Sequence, residues 1–162
     1  MQKALNQGTG LVRLPPGTIE LGTELLVPPH AHDLEIVGSE KSVLRASPKF
    51  QGRALLSIHN AKRVRLSNFS IDGNREALNR PTEIPARTTA YGMQFQRGGL
   101  LIEDSDNVTV SGVDIREVVG FAILASRARK VKIEKVNVDE SGSDNIKGVN
   151  NTSCLLYTSR CV

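Results

Sequence analysis

Four positions carry side chains suited to proton transfer or anion binding and recur at one point of a repeating pattern: His59, Glu103, Asp104 and Arg127. His59 and Glu103 align at the end of equivalent segments, with Asn60 and Asp104 one residue further on. The next repeat reads as one residue longer in the corner, which puts Ala125 or Ser126, and then Arg127, nearby. A histidine beside a carboxylate can exchange protons with a ligand, and an arginine can grip a carboxylate through two parallel hydrogen bonds. The plainer role for the same residues is a solvated outer face built from turn-forming Asp and Asn. Glu103 and Asp104, with Asp106, also offer the oxygen ligands that calcium favours. No cofactor is expected, calcium being the one these residues could hold. His30 and His32, flanking Ala31, are too few for a transition-metal site.

A second group lies in residues 73–98, which lack the repeat and carry the turn signals Pro81, Pro85 and Gly92. Arg75, Arg80, Arg87 and Arg97 could clamp an acidic ligand, and Tyr91 could stack on a ring. The substrate-binding candidates are Arg75, Arg80, Arg87 and Tyr91; the other reading of the segment is a covering loop. Asp72-Gly73-Asn74 reads as a turn, and Asp139, Glu140 and Asp144 read as a loop around Ser141-Gly142-Ser143.

The elements that must hold these residues follow from three segments of equal spacing. Val64, Leu66, Phe69 and Ile71 form one, Val108, Val110, Val113 and Ile115 the next, and Val131, Ile133, Val136 and Val138 the third. Each runs i, i+2, i+5, i+7. The three-residue step inverts the alternation of a strand, so one flat strand cannot bury all four residues. A corner at Ser67-Asn68, Ser111-Gly112 and Glu134-Lys135 resolves the conflict. Each segment is accompanied by a short apolar strand, at Leu56–Ile58, Leu100–Ile102 and Phe121–Leu124. Val108 and Val131 are 23 residues apart, and Val64 and Val108 are 44 apart, one turn plus the 73–98 insertion. Val12, Leu14, Ile19 and Leu21, then Leu34, Ile36, Val43 and Leu44, extend the pattern with wider corners.

The fold this predicts is all-β: a right-handed parallel β-helix, or solenoid, of about five coils. An antiparallel sandwich has short strands at regular spacing too, but does not explain a phase slip recurring at one place in each repeat. Residues 1–8, MQKALNQG, read as a short helix that caps the open first coil.

Composition agrees. Only 4% of the 162 residues are aromatic and none is Trp, while 15 Val and 10 Ile favour strands. The longest apolar run, Val118–Ala125, is eight residues, far short of a membrane span. A net charge of +4 is too dispersed to predict a nucleic-acid footprint. The predicted partner list therefore excludes nucleic acid and membrane insertion.

Both cysteines, Cys154 and Cys161, lie in the last nine residues, CLLYTSRCV. This tail resembles a translated transposase mosaic end, a sequencing-library adapter: TGT CTC TTA TAC ACA TCT encodes Cys154–Ser159, and the reverse complement AGA TGT GTA TAA encodes Arg160–Val162 and a stop. The expected domain is thus residues 1–153, with 154–162 a non-native tail.

The run QKALNQG…VRLPPGTIEL, with LEIVGSEKSVLRA and FSIDGN, resembles the opening of right-handed parallel β-helix proteins of the pectate lyase superfamily. The resemblance spans nearly all of residues 2–153. It implies a polysaccharide partner, an extracellular or periplasmic location, and the front part of a longer chain. The implied activity is that of a polysaccharide lyase or glycoside hydrolase on acidic polysaccharide; the alternative is a non-catalytic surface adhesin or carbohydrate-binding scaffold. Ser143-Asp144-Asn145-Ile146-Lys147 echoes one polygalacturonase motif, but the Asp-Asp and Gly-His-Gly pieces are lacking, so no catalytic residue carries over. A fresh read of the source DNA is expected to continue past Ser153 without the adapter-like codons; a read that ends in them would make the tail native.

Overall fold

The i, i+2, i+5, i+7 spacing is realised as a bent strand that buries all four of its apolar residues. In the computed structural model, which describes residues 1–78, 97–142 and 146–152 and the backbone of 155–157 and 160–161, the twelve residues of the three segments are at most 2% exposed. Helix α1 (Gln2–Leu5) is followed by thirteen strands: β1 (Gly10–Arg13), β2 (Gly17–Val27), β3 (His32–Val37), β4 (Ser42–His59), β5 (Lys62–Asp72), β6 (Gly98–Glu103) and β7 (Asp106–Arg116), then β8 (Ile123–Ser126), β9 (Arg129–Glu134), β10 (Asn137–Asp139), β11 (Ile146–Val149), β12 (Leu155–Tyr157) and β13 (Arg160–Cys161).

All pairing is parallel and joins each strand to its equivalent one coil away, giving three faces. The first face stacks β1, β3, the start of β5, the start of β7, and β9. The second stacks the starts of β2 and β4 on the ends of β5 and β7 and then β10. The third stacks the ends of β2 and β4, then β6, β8 and β11. The result is a parallel β-solenoid of about four turns, where the repeat count predicted about five coils. The two counts differ because five layers, from Gly10 through Leu34, Val64 and Val108 to Val131, enclose only four stacking steps.

The corners explain how the chain repeats the bend. Residues with positive φ fall in columns, one per layer: Asn68, Gly112 and Lys135 between the first and second faces, and Asn60, Asp104, Arg127 and Asn150 between the third and first. Left-handed backbone is disfavoured for most L-residues, least so for Gly, Asn and Asp. A stack of identical corners keeps each carbonyl aimed at the amide of its neighbour. Thus the Asn60 N–H donates to Glu103 O (3.1 Å), that of Asp104 to Ser126 O (3.1 Å), and that of Arg127 to Val149 O (2.9 Å).

Three details differ from the sequence reading. In the second coil the inward residues are Ser42 and Leu44, whereas Val43 is only half-buried. Ser42 is tolerated inside because its hydroxyl bonds to Leu14 O (3.3 Å) and the Ser39 N–H (3.0 Å). The third-face strand of the fourth layer is β8, two residues later than Phe121–Leu124, because Phe121 packs outside with Ala54, Leu101 and Leu124. Finally, the backbone of the tail forms β12 and β13, which pair with β9 and β10. An open last layer presents a row of unpaired N–H and C=O groups that recruits any extended segment, whatever its origin.

At the other end the short helix caps as expected. Leu5 is buried against the core, and the Gln2 carboxamide bonds twice to the backbone of Leu26, donating to its carbonyl (2.7 Å) and accepting from its N–H (3.0 Å).

Two glycines test the stacking. A Cβ at Gly73 would lie 2.6 Å from Val118 Cα, whereas one at Gly22 meets nothing nearer than Ser47 Oγ at 4.0 Å. Gly73→Ala is expected to destabilise the solenoid by about 1–3 kcal/mol, and Gly22→Ala by under about 1 kcal/mol. Equal urea midpoints for the two variants would contradict tight stacking at the second corner, the one between the second and third faces.

Candidate functional site

The end of the third face gathers all four catalytic candidates. His59 pairs in register with Glu103 and Glu103 with Ser126, so these three stand one above another on the outer surface. Asp104 and Arg127 follow in the left-handed corner, which turns both side chains back over the strand ends. Of Ala125 and Ser126 it is Ser126 that aligns with Glu103, and Ala125 aligns with Ile102, so this corner carries no extra residue.

The charges interlock. Arg127 forms a two-pronged pair with Asp104 (Nε–Oδ1 2.7 Å, Nη2–Oδ2 2.8 Å) and approaches Glu103 Oε1 at 4.0 Å. A second two-pronged pair joins Arg53 to Glu103 (2.8 and 2.9 Å). His59 Nδ1 lies 3.9 Å from Glu103 Oε2 and 3.7 Å from Asp104 Oδ2, facing both carboxylates without bonding closely to either. Below it the Ser57 hydroxyl donates to Glu24, whose other oxygen accepts from the Arg53 N–H at 3.3 Å. The Glu103 side chain is 13% exposed, while those of His59, Arg53 and Arg127 are about half exposed. A shallow groove of about 300 Å³ runs beside them, floored by Leu26, Ser57 and Leu101.

These contacts fix the carboxylates as anions. The hydrogen bonds from Arg53 hold the Glu103 carboxyl below the usual range, against the opposing effect of burial; those from Arg127 do the same for Asp104. The partnered guanidiniums are raised in turn. Neither acid is therefore suited to donate a proton near neutrality.

Sequence reasoning missed Arg53 and Glu24. Both lie in irregular stretches: β2 and β4 slip register between Leu21 and Leu25. The six-residue interval from Arg53 to His59, an even number along one strand, was the available signal.

The other candidates lie elsewhere. Arg75 is at the corner that precedes the third face, its Nη2 3.5 Å from Glu140 Oε2. The six residues of β6 separate that corner from His59, roughly 20 Å of strand. Arg80, Arg87, Tyr91 and Asp144 lie outside the described residues. Asp72 is the turn residue expected: its Oδ1 accepts from the Asn74 N–H (2.9 Å) while Oδ2 takes Arg116 (3.0 Å). The three carboxylates considered for calcium are each held by a different arginine: Glu103 by Arg53, Asp104 by Arg127, and Asp106 by Arg129 at 3.0 Å. Among the described residues no group of three or more His, Cys, Asp or Glu is placed to hold a metal ion.

Fold and wall together define a parallel β-solenoid with a charged groove along one face. No family model matches the chain, and no curated protein does. Solved structures share the fold. A candidate glycosyl hydrolase from Parabacteroides merdae superposes with a TM-score of 0.75 at 15% identity, covering 98% of this chain and 85% of that one. The A-module of the mannuronan C-5 epimerase AlgE4 from Azotobacter vinelandii gives 0.68 at 16% identity, covering 97% of this chain and 43% of the module. PfbA, a surface adhesin of Streptococcus pneumoniae, gives 0.60 at 19% identity, covering 86% and 33%. The chain thus spans under half of the epimerase module and a third of the adhesin. At these identities the likeness establishes the parallel β-helix fold.

Because the folded carboxyls of Glu103 and Asp104 are depressed, the stability they contribute is present above the ordinary carboxylate range and is lost as pH falls through their folded values. Melting temperature is expected to hold from neutrality to about pH 4 and then to fall, and to fall less in Glu103→Gln. Identical acid profiles for the two proteins would remove the Arg53 pair from the stability account.

Proposed function

We propose that this chain belongs to a carbohydrate-active β-helix protein that takes an acidic polysaccharide along the third face. The observation that carries the reading is the meeting of His59, Glu103, Asp104, Arg53 and Arg127 on one wall beside an open groove. The two guanidiniums are already arranged for two-pronged carboxylate binding, so a uronate carboxylate can take the place of Asp104 or Glu103 on its arginine. A displaced protein carboxylate then faces His59, whose imidazole is placed to move a proton to or from the sugar. In this scheme Arg53 and Arg127 bind, Glu103 and Asp104 position the imidazole, and His59 transfers the proton. The reaction class is polysaccharide lysis or glycoside hydrolysis. Solved β-helix neighbours described as a glycosyl hydrolase candidate and a mannuronan epimerase support a carbohydrate role, and the surface adhesin among them supports an extracellular or periplasmic place.

The second reading is a carbohydrate-binding scaffold without catalysis. It is favoured by the complete pairing of Glu103 and Asp104, an arrangement that stabilises a wall as readily as it poises one.

A panel of uronate polysaccharides, followed both by unsaturated product and by reducing ends, separates the two. Turnover that drops by about 10²–10⁴-fold in His59→Ala supports the scheme. Silence on both readouts with retained glycan binding would leave the scaffold.

A further inference from the structure

The first face, on the other side of the left-handed corner from the candidate site, also carries charge, and part of it has no partner. Arg63 is joined to Asp33 (2.6 and 2.7 Å) and Arg129 to Asp106 (3.0 Å). Among the described residues, Lys62, Arg65 and Lys130 are exposed and make no ion pair. Lys62 and Arg65 stand on β5, and Lys130 on β9, with β7 between them. In that middle layer Asp106 is in register with Lys62 and Arg129, Asn107 lies between Arg63 and Lys130, and Thr109 is in register with Arg65 and Lys132. A shallow groove of about 340 Å³ runs over Arg63, Arg65, Asn107 and Thr109, with Asp33 and Glu35 at its β3 end and with Lys62 and Lys130 outside it.

We propose that this face is a second, non-catalytic binding surface for an acidic polysaccharide charged on alternate sugars, lying across the strands. Layers are about 4.8 Å apart, so the cations of β5 and β9 are about 10 Å apart along the solenoid axis. A pyranose unit is about as long as one layer. A chain following the axis over Arg63, Asn107 and Lys130, or over Arg65, Thr109 and Lys132, therefore meets a cation, then an amide or a hydroxyl suited to sugar hydroxyls, then a cation again. A polymer with a carboxylate on every second sugar matches that order; one charged on every sugar sets an anion over Asn107 and Thr109 without a partner.

Nucleic acid fits the face poorly. A duplex presents a charge every 1.7 Å or so along its axis, and Asp33, Glu35 and Asp106 interrupt the basic residues. The described side chains of this face include no Phe, Tyr or Trp ring on which bases would stack.

The test uses the full chain and hyaluronan oligosaccharides, in which uronate alternates with an uncharged amino sugar. Binding is measured by calorimetry for wild type, for Lys62→Ala/Arg65→Ala/Lys130→Ala, and for Arg53→Ala/Arg127→Ala, with circular dichroism to confirm folding. The triple variant is expected to bind about tenfold more weakly, each exposed contact being modest but the three acting together. The Arg53/Arg127 variant is expected to keep hyaluronan binding even where it loses uronate turnover, so this surface and the third-face site fail independently. Hydrogen exchange on wild type gives a reading free of substitutions: protection is expected at 62–67 and 129–132. Failure of wild type to bind, full affinity in the triple variant, protection confined to 57–59 and 101–104, or tighter binding of single-stranded DNA would each overturn the proposal.

Discussion

Parallel stacking without relative slip is the constraint from which the rest of the molecule follows. Each layer must offer the next the same backbone edge, so inward residues, corners and outward residues all recur in columns about 4.8 Å apart. Val64, Val108 and Val131 meet in register at the core, and their burial drives the stack. The columns of positive φ are the cost of turning at one place every time. That conformation is unfavourable for Arg127 and Lys135 taken singly, yet the surrounding layers hold it, because a different corner would break the hydrogen bonds above and below.

The same constraint arranges the charges. Stacking brings like positions within reach, so a column of one sign would repel itself. On the second face the outward column runs Arg45, Asp72, Arg116, Asp139, alternating at each step. The Asp72 carboxylate, 7% exposed, is held between Arg45 (3.8 Å) and Arg116 (3.0 Å). On the third face the column breaks this rule: His59 and Asp104 are neighbours of Glu103, and two arginines from different layers are needed to neutralise the acids. A place where column alternation gives way to a cluster is where the stack departs from what stability alone asks.

Much of this is legible in the residues. The four-point spacing gave the core of three layers because its phase slip has only one geometric resolution. His59 aligned with Glu103 because the strands leading to both are regular. Legibility fails where regularity does. Ser42 occupies the inward place that Phe69 fills one layer on, and no hydrophobic count would put a serine there. Arg53 escaped because the long β4 passes a register slip against β2 before reaching the third face. Phe121 misled because an outward aromatic, buried against Leu101 and Leu124, looks in sequence like an inward one. Arg75 belongs to the insertion by number but to the second corner by contact.

The Gln2 carboxamide has a consequence beyond capping. By donating to the carbonyl of Leu26 and accepting from its N–H, one side chain reproduces the two bonds that a neighbouring strand would make at that residue. A foreign strand arriving at this edge finds its first docking points already occupied and must evict a tethered competitor whose effective concentration is high. The helix therefore acts as a chain terminator for edge-to-edge growth, built from a single amide.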